Sequence, residues 1–380
     1  MMLVERSGRW TTCDLALAGV YIWTNTIFFQ KYVARASVHV PVLTAAFVAA
    51  EILLVWLMIG APLTRLTAIV DRRRYAILAI GVACLLTAML LAIPQGANRV
   101  SRYPAIHAWL GRLLRGEFPY ADTVNPSGFP MLFAVAFPFY LIGDIGLLQI
   151  AAFLAFAWLL ARRHAPAGAA RRLALLLLSP AFLYEVVVRS EIFSNMIVVL
   201  LVLQYLESQS QHGTRRVGAG VLAGLALSTR AVVGVPYAVM FAFLYRRRAA
   251  DGALVALIAL AVFTATLLPF AAWDWSYFIA RGPFAVQGQY APAWFLALAL
   301  AAAAAAGYRA TSAQTALAAC ALVLSGIVSA VLLARVMQEG WYTASVGEGA
   351  FDIGYFCFAI PFALMAIGNS SGATQSPSRC

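Results

Sequence analysis

Arg230 interrupts an apolar stretch that runs from Val217 to Tyr245, and Glu185, Arg189 and Glu191 interrupt another. An ionisable side chain at membrane depth costs on the order of 3 kcal/mol even on lenient insertion scales, so such groups are usually kept for binding or catalysis in a polar cavity. A guanidinium offers a planar fork of donors that matches phosphate oxygens. A carboxylate in a low-dielectric surround can take a proton from an attacking hydroxyl. The candidate phosphate ligands are Arg102, Arg189 and Arg230, and the candidate acid/base carboxylates are Asp122 and Glu191.

The composition says what must position these groups. Hydrophobic residues make up 63% of the 380 and charged residues 11%, and mean hydropathy is +0.84. A water-soluble globule would carry a charged fraction nearer a quarter, so the chain reads as a polytopic, all-α membrane protein. Apolar segments of roughly 17 to 25 residues recur without a long soluble insertion, which predicts one integral domain. The segment from Leu15 to Gln30 reads as a first span, not a cleaved leader, because Lys31 follows it in place of small residues. The five cysteines are scattered and mostly within apolar runs, as small core residues are. The net charge of +12 is best explained by arginines in cytoplasmic loops, so no nucleic-acid partner is expected.

Four arginine-rich connections set the orientation: Arg65 with Arg72, Arg73 and Arg74; Arg162, Arg163, Arg171 and Arg172; Arg215 and Arg216; and Arg246, Arg247 and Arg248. Placing them in the cytoplasm puts the polar segments near Asn98 to Pro130, Tyr184 to Glu191, Arg230, Trp273 to Pro292 and Glu339 to Asp352 on the opposite face. The stretch from Arg171 to Arg216 starts and ends inside, so it must turn back, near Glu185 to Ser190. Val217 to Tyr245 has arginines at both ends and only 29 residues. It is expected to be two short helices meeting at Arg230, with Gly234 and Pro236 just past the break, in preference to one span against the charge rule. Leu147 to Ala161 is a span, and Pro130 to Leu141 an interfacial or re-entrant helix broken by Pro138 and closed by Gly143. The expected total is about twelve crossings, with residues 1–73 an added N-terminal hairpin, 74–368 the core, 95–146 an external loop and 369–380 a disordered cytoplasmic tail. Glu51, mid-span, is expected to hydrogen-bond between spans.

Within the external loop, Ile106, Trp109, Leu110 and Leu113 share a face while Arg102, Arg112 and Arg115 lie mostly off it, which predicts an amphipathic surface helix. It is either a helix resting at the headgroups or a lid over a phosphate-bearing lipid. Gly116 and Pro119 then break the helix and are expected to present Tyr120 and Asp122 at the mouth of the bundle.

The run Leu113-Leu114-Arg115-Gly116-Glu117-Phe118-Pro119-Tyr120, followed by Gly128-Phe129-Pro130-Met131-Leu132-Phe133, resembles the "LLxGxxPY…PPL" signature of the glycosyltransferase-C superfamily, in particular its mannosyltransferase-like members. Ser179-Pro180 with Arg189-Ser190-Glu191 is similar to that group's "SP…D" element, and Gly224-Leu225-Ala226-Leu227-Ser228-Thr229-Arg230 to its "GLAxLTK" element, with arginine in place of lysine. The resemblance covers about Arg74 to Asp274. It implies an integral membrane enzyme that takes a sugar from a polyprenyl-phosphate donor and passes it to a glycan or lipid acceptor, on the external face of a prokaryotic inner membrane. One departure stands out: the aspartate usual about fourteen residues before the glycine matching Gly116 is replaced here by Ser101 or Arg102. Asp122 or Glu117 would then supply the carboxylate, or Glu191 alone would, or the chain is a non-catalytic relative that binds a glycolipid or partner.

Transfer from such a donor breaks the bond between the anomeric carbon and phosphate, so cations on the departing phosphate and a base for the acceptor are both needed. The aromatic and amide residues from Trp273 to Tyr290 suit sugar stacking and hydrogen bonding, with Tyr120, Gln287 and Tyr290 as candidate substrate ligands, though Trp and Tyr also belong at any membrane interface. The four histidines are dispersed and no DxD cluster occurs, so no cofactor or metal is assigned, and a divalent ion stays open. The rival class is a transporter or lipid flippase, which also uses charged groups and broken helices at mid-membrane.

Overall fold

Backbone polar groups in an apolar surround have to be satisfied within their own segment, and the described residues do so mainly with helix. The computed structural model describes residues 10–36, 39–60, 69–95, 102–121, 127–209, 215–288, 291–347 and 351–368, and among them there is no strand. The order is α1 (Thr12–Ala36), α2 (Val40–Ile59), α3 (Arg72–Ala92), α4 (Arg102–Leu114), α5 (Pro130–Ile142), α6 (Leu147–Arg163), α7 (Pro166–Leu177), α8 (Pro180–Val187) and α9 (Ile192–Gln209). Then come α10 (Arg215–Leu227), a 3-10 turn (Ala231–Val233), α11 (Gly234–Arg247), α12 (Ala249–Trp273), α13 (Trp275–Arg281), α14 (Pro283–Gly288), α15 (Ala293–Arg309) and α16 (Ala313–Glu339). After α17 (Trp341–Ser345) a second 3-10 segment (Ile353–Phe358) leads into α18 (Ile360–Ala366).

Four helices, α2, α3, α12 and α16, are long and apolar enough to cross a membrane, and the number rises to seven if α5 with α6, α8 with α9, and the segment Trp275–Gly288 with α15 are each one bent span. The protein is thus an all-helical protein with the helices of a membrane protein. The expected count of about twelve is larger because it takes several short apolar runs, among them those around Arg230, as crossings. At 1.5 Å per residue, α7, α10 and α11 are only about 18 to 21 Å long, short of a hydrocarbon core of about 30 Å. The break expected at Arg230 is present, and α10 ends before it while α11 begins after it. So is the turn near Glu185 to Ser190, where α8 and α9 meet at 107°. α5 matches the expected re-entrant helix and is closed by Gly143 at φ +102, but it runs through Pro138 unbroken and bends from α6 by 115°.

The main core gathers α1, α3, α6, α7, α8, α9, α11, α16 and α18. α1 is built into this core, beside α8, α16 and α18, and its Tyr21 hydroxyl donates to the Leu175 carbonyl at 2.7 Å. The N-terminal segment is therefore an integral part of the bundle, with α2 packed against α1. Glu51 of α2 is buried facing Asn25 of α1. Asn25 in turn accepts from Ser179 at the start of α8 at 2.6 Å, giving the interspan polar link expected of Glu51. Glycines set the tightest helix contacts. A β-carbon at Gly224 would collide with the Ala259 carbonyl and one at Gly220 with Ile258, so this Gly-x-x-x-Gly pair lets α10 lie directly on α12. Gly307 does the same for α15 on α11, where the Val239 carbonyl fills the space.

A second, aromatic cluster lies under α4. Trp109 stacks on Phe133 with centroids 4.1 Å apart, and Tyr120, Phe270 and Phe278 close around them. The amphipathic face is as expected, with Ile106, Trp109 and Leu110 buried. Arg102 departs from the expectation, because the first turn of α4 aims it inward and leaves it 7% exposed.

Candidate functional site

The joint between α8 and α9 places most of the charged groups. α8 ends in a Schellman turn: the Ser190 N–H donates to the Glu185 carbonyl at 2.9 Å and the Arg189 N–H to the Val186 carbonyl at 3.1 Å. The left-handed position of such a turn is normally glycine, yet here it is Arg189, at φ +55. A non-glycine residue held there costs about 1 kcal/mol or more. Its side chain supplies the compensation. Nε donates to Asp144 at 3.0 and 3.1 Å, and Nη2 to the Leu90 and Ile93 carbonyls, both at 2.8 Å. Asp144 also accepts from the Gly146 N–H at 2.7 Å. Arg189 is thus spent on a clamp that ties the joint to the end of α3 and the start of α6.

The turn sends Glu185, Ser190 and Glu191 the other way. Glu191 sits at the N-terminus of α9, where the Asn195 N–H reaches its carbonyl at 2.8 Å and the helix dipole favours an anion. Its carboxylate pairs with Arg230, both groups being buried. Arg230 is in extended conformation between α10 and the 3-10 turn. That break is stitched down on three sides: the Phe129 and Met131 N–H groups donate to the Thr229 and Ser228 carbonyls, both at 2.9 Å, Thr266 donates to the Ser228 hydroxyl at 2.6 Å, and the Ala231 N–H donates to Gln287 Oε1 at 2.8 Å. Arg230 Nη1 also approaches Ser127 Oγ at 3.4 Å.

Arg102 completes the cluster from α4. Nη1 donates to Ser190 Oγ at 2.7 Å and lies 3.5 Å from Glu185 Oε1, while Nη2 pairs with Asp352. Its guanidinium carbon lies 5.4 Å from the centre of the Tyr355 ring. Burial alone would lower this guanidinium, but Asp352 and Glu185 outweigh it and hold it above its ordinary value, so it stays charged. Arg102 and Arg230 are in electrostatic range of one another, and Lys31 of α1 is in range of Asp352. Three carboxyls (Glu185, Glu191 and Asp352) therefore share one region with two guanidiniums (Arg102 and Arg230), and of the five only Asp352 has substantial side-chain exposure, at 41%. Several polar atoms here are left without hydrogen-bond partners: both oxygens of Glu185, Oε2 of Glu191, Nε of Arg230 and Nε2 of Gln287.

The arginines of the connecting segments lie elsewhere. Arg163 pairs with Glu207 and Gln204 at the far end of α9, and Arg216 with Asp251 at the starts of α10 and α12. From Ile192 to Glu207 the helix rises about 22 Å, so the arginine-rich pole and the mixed-charge cluster occupy opposite ends of the bundle.

Of the sequence candidates, Arg102, Glu191, Arg230 and Gln287 come together. Arg189 does not join them, because Asp144 and two carbonyls take its donors. Tyr120 is not presented at a mouth: it is 1% exposed, with its hydroxyl donating to the Gly128 carbonyl at 3.1 Å and its ring in the aromatic cluster under α4. Glu117 is on the surface, where Arg115 bonds it at 2.9 and 3.1 Å and holds its carboxyl below the usual range. Asp122 and Tyr290 lie outside the described residues, as does the tail beyond residue 368. Asp352, Ser190 and Glu185 were not nominated as ligands. Glu185 and Asp352 were nonetheless visible as acids set within or beside apolar runs. Comparison with known proteins finds no matching family model, no matching curated protein and no matching solved structure.

Proposed function

We propose that the protein is an integral membrane glycosyltransferase of glycosyltransferase-C type, which moves a sugar from a polyprenyl-phosphate donor to a lipid-linked or cell-envelope glycan acceptor. The observation that carries this reading is the buried convergence of Arg102 and Arg230 with Glu185, Glu191 and Asp352, at the pole away from the arginine-rich connections. Two forked cations beside incompletely bonded carboxyls match the two demands of the reaction, charge on a departing phosphate and a proton acceptor. The order of the motifs quoted above supports the same reading. Arg102 and Arg230 bind the donor phosphate, Gln287 holds the broken helix and offers its amide to the sugar, and Glu191 orients Arg230. With the arginine-rich pole in the cytoplasm, the site opens on the external face of a prokaryotic inner membrane. A total of about twelve crossings follows only if α1 crosses and the short helices α7, α10, α11 and α18 each form part of a longer, broken crossing.

Purified protein in lipid nanodiscs, given radiolabelled polyprenyl-phosphate mannose and a bacterial lipid extract as acceptor, should transfer label to a new glycolipid. Arg230→Ala should abolish that transfer. Label that stays wholly in the donor, with mannose and with the other polyprenyl-phosphate sugars tried in turn, would contradict the proposal. A transporter or flippase also uses broken helices lined with charge, and the 107° joint favours that reading. It predicts movement of an unmodified polyprenyl-phosphate sugar across proteoliposomes, with no new glycosidic bond.

A further inference from the structure

Glu185 is the buried carboxyl that the chain leaves without a well-formed hydrogen bond, with only the Ser190 hydroxyl and the Arg102 guanidinium beside it. Asp144 is taken up by Arg189 and the Gly146 N–H, Glu191 by Arg230, and Asp352 by Arg102 and the Gly354 N–H. Among the described residues, Glu185 is the buried carboxyl with neither oxygen hydrogen-bonded, although it is 0% exposed. Its nearest cation is Arg102, at 3.5 Å. It also sits in the last turn of α8, where the helix dipole works against an anion. The joint itself does not need this side chain, since the Schellman turn employs only the Glu185 carbonyl. A buried carboxyl kept short of donors is a cost that folding alone does not explain.

We infer that Glu185 is the catalytic base, the group that accepts the proton of the attacking acceptor hydroxyl. This rests on the transferase reading above. In the step, the acceptor oxygen forms a bond to the anomeric carbon and the bond from that carbon to the phosphate oxygen breaks. The electron pair leaves with the polyprenyl phosphate, and the hydroxyl proton passes to a Glu185 oxygen. The added negative charge on the phosphate falls to Arg102 and Arg230. Arg102 now bonds Ser190 and Asp352 and lies across Glu185. A donor phosphate competes with those partners for its fork, and Asp352, the exposed member, marks the side from which the donor arrives.

The test compares wild type, Glu185→Gln, Glu185→Asp and Glu191→Gln in nanodiscs, with radiolabelled polyprenyl-phosphate mannose and lipid-extract acceptor. Thermal transitions are recorded alongside. Glu185→Gln should lower kcat by about 100-fold or more while the donor KM stays within about threefold of wild type and the thermal transition does not fall. Glu185→Asp should retain measurable turnover with a displaced pH profile, and this arm decides the matter if the glutamine variant does not accumulate. Glu191→Gln should raise the donor KM, through Arg230, and leave the shape of the pH profile alone. Turnover of Glu185→Gln near the wild-type rate, or an unchanged pH profile in Glu185→Asp, would overturn the assignment while leaving the transferase reading intact. A wild-type protein that makes no product overturns that reading and this assignment with it.

Discussion

The buried arginines of this bundle meet opposite fates in two regions, Arg189 in one and Arg102 with Arg230 in the other. Arg189 has a carboxylate and two backbone carbonyls, all within 3.1 Å, and its network closes on itself through the Gly146 N–H. Arg102 and Arg230 face carboxyls as well, but that region ends in orphaned atoms: both oxygens of Glu185, one of Glu191 and the Nε of Arg230. Arg189 holds a strained joint in place; Arg102 and Arg230 border a set of groups that still has bonding capacity. A charge at membrane depth is therefore not by itself evidence of a site. What distinguishes the two regions is how much hydrogen-bonding capacity remains once the fold has used what it needs.

The comparison can be broken by substitution, and the largest effect should come from the closed network. Arg189→Ala strands Asp144 and two carbonyls, so it should cost about 3–5 kcal/mol of stability, read as a lower thermal transition and poorer accumulation in the membrane. Arg189→Gly loses the same clamp but relieves the left-handed backbone, so it should be less damaging than alanine by about 1 kcal/mol. Equal losses would mean that the turn carries no strain. In the open cluster the order of effects reverses: Arg102→Ala should lower transfer by about 100-fold and shift the thermal transition less than Arg189→Ala does. Arg102→Lys should restore little of it, because an ammonium lacks the fork. The smallest effect should come from Gln287→Ala, which removes one hydrogen bond to Ala231, worth about 1 kcal/mol, and should raise the donor KM a few-fold.

Much of the frame was legible in the residues themselves. Apolar run lengths indicated a helical bundle, Gly143 the end of α5, Gly234 and Pro236 the interruption near Arg230, and the pattern at Ile106, Trp109 and Leu110 the buried face of α4. Those are local signals, set by neighbours within a turn or two. The pairing of charges was not legible, because it is long-range. Arg102 meets Asp352 across 250 positions and Arg189 meets Asp144 across 45, and no periodicity encodes either. Tyr120 misled for a related reason: glycine and proline around it do break the helix, but whether the exposed-looking tyrosine turns out or in depends on Trp109, Phe133 and Phe270, which pack on it from three different helices. The count of crossings was the least legible, with four to seven candidate spans against about twelve expected, since a run of apolar residues does not say where the helix within it stops.

The most direct test of the central claim is where a donor lies. A polyprenyl-phosphate sugar carrying a photoreactive group beside its phosphate, activated on the protein in nanodiscs and followed by mass spectrometry, should place adducts at the start of α4 around Arg102, at the α8–α9 joint, or at residues 228–231 and 351–355, and Arg102→Ala should remove them. Adducts confined to the opposite pole, around Arg72, Arg162 and Arg216, would contradict the account.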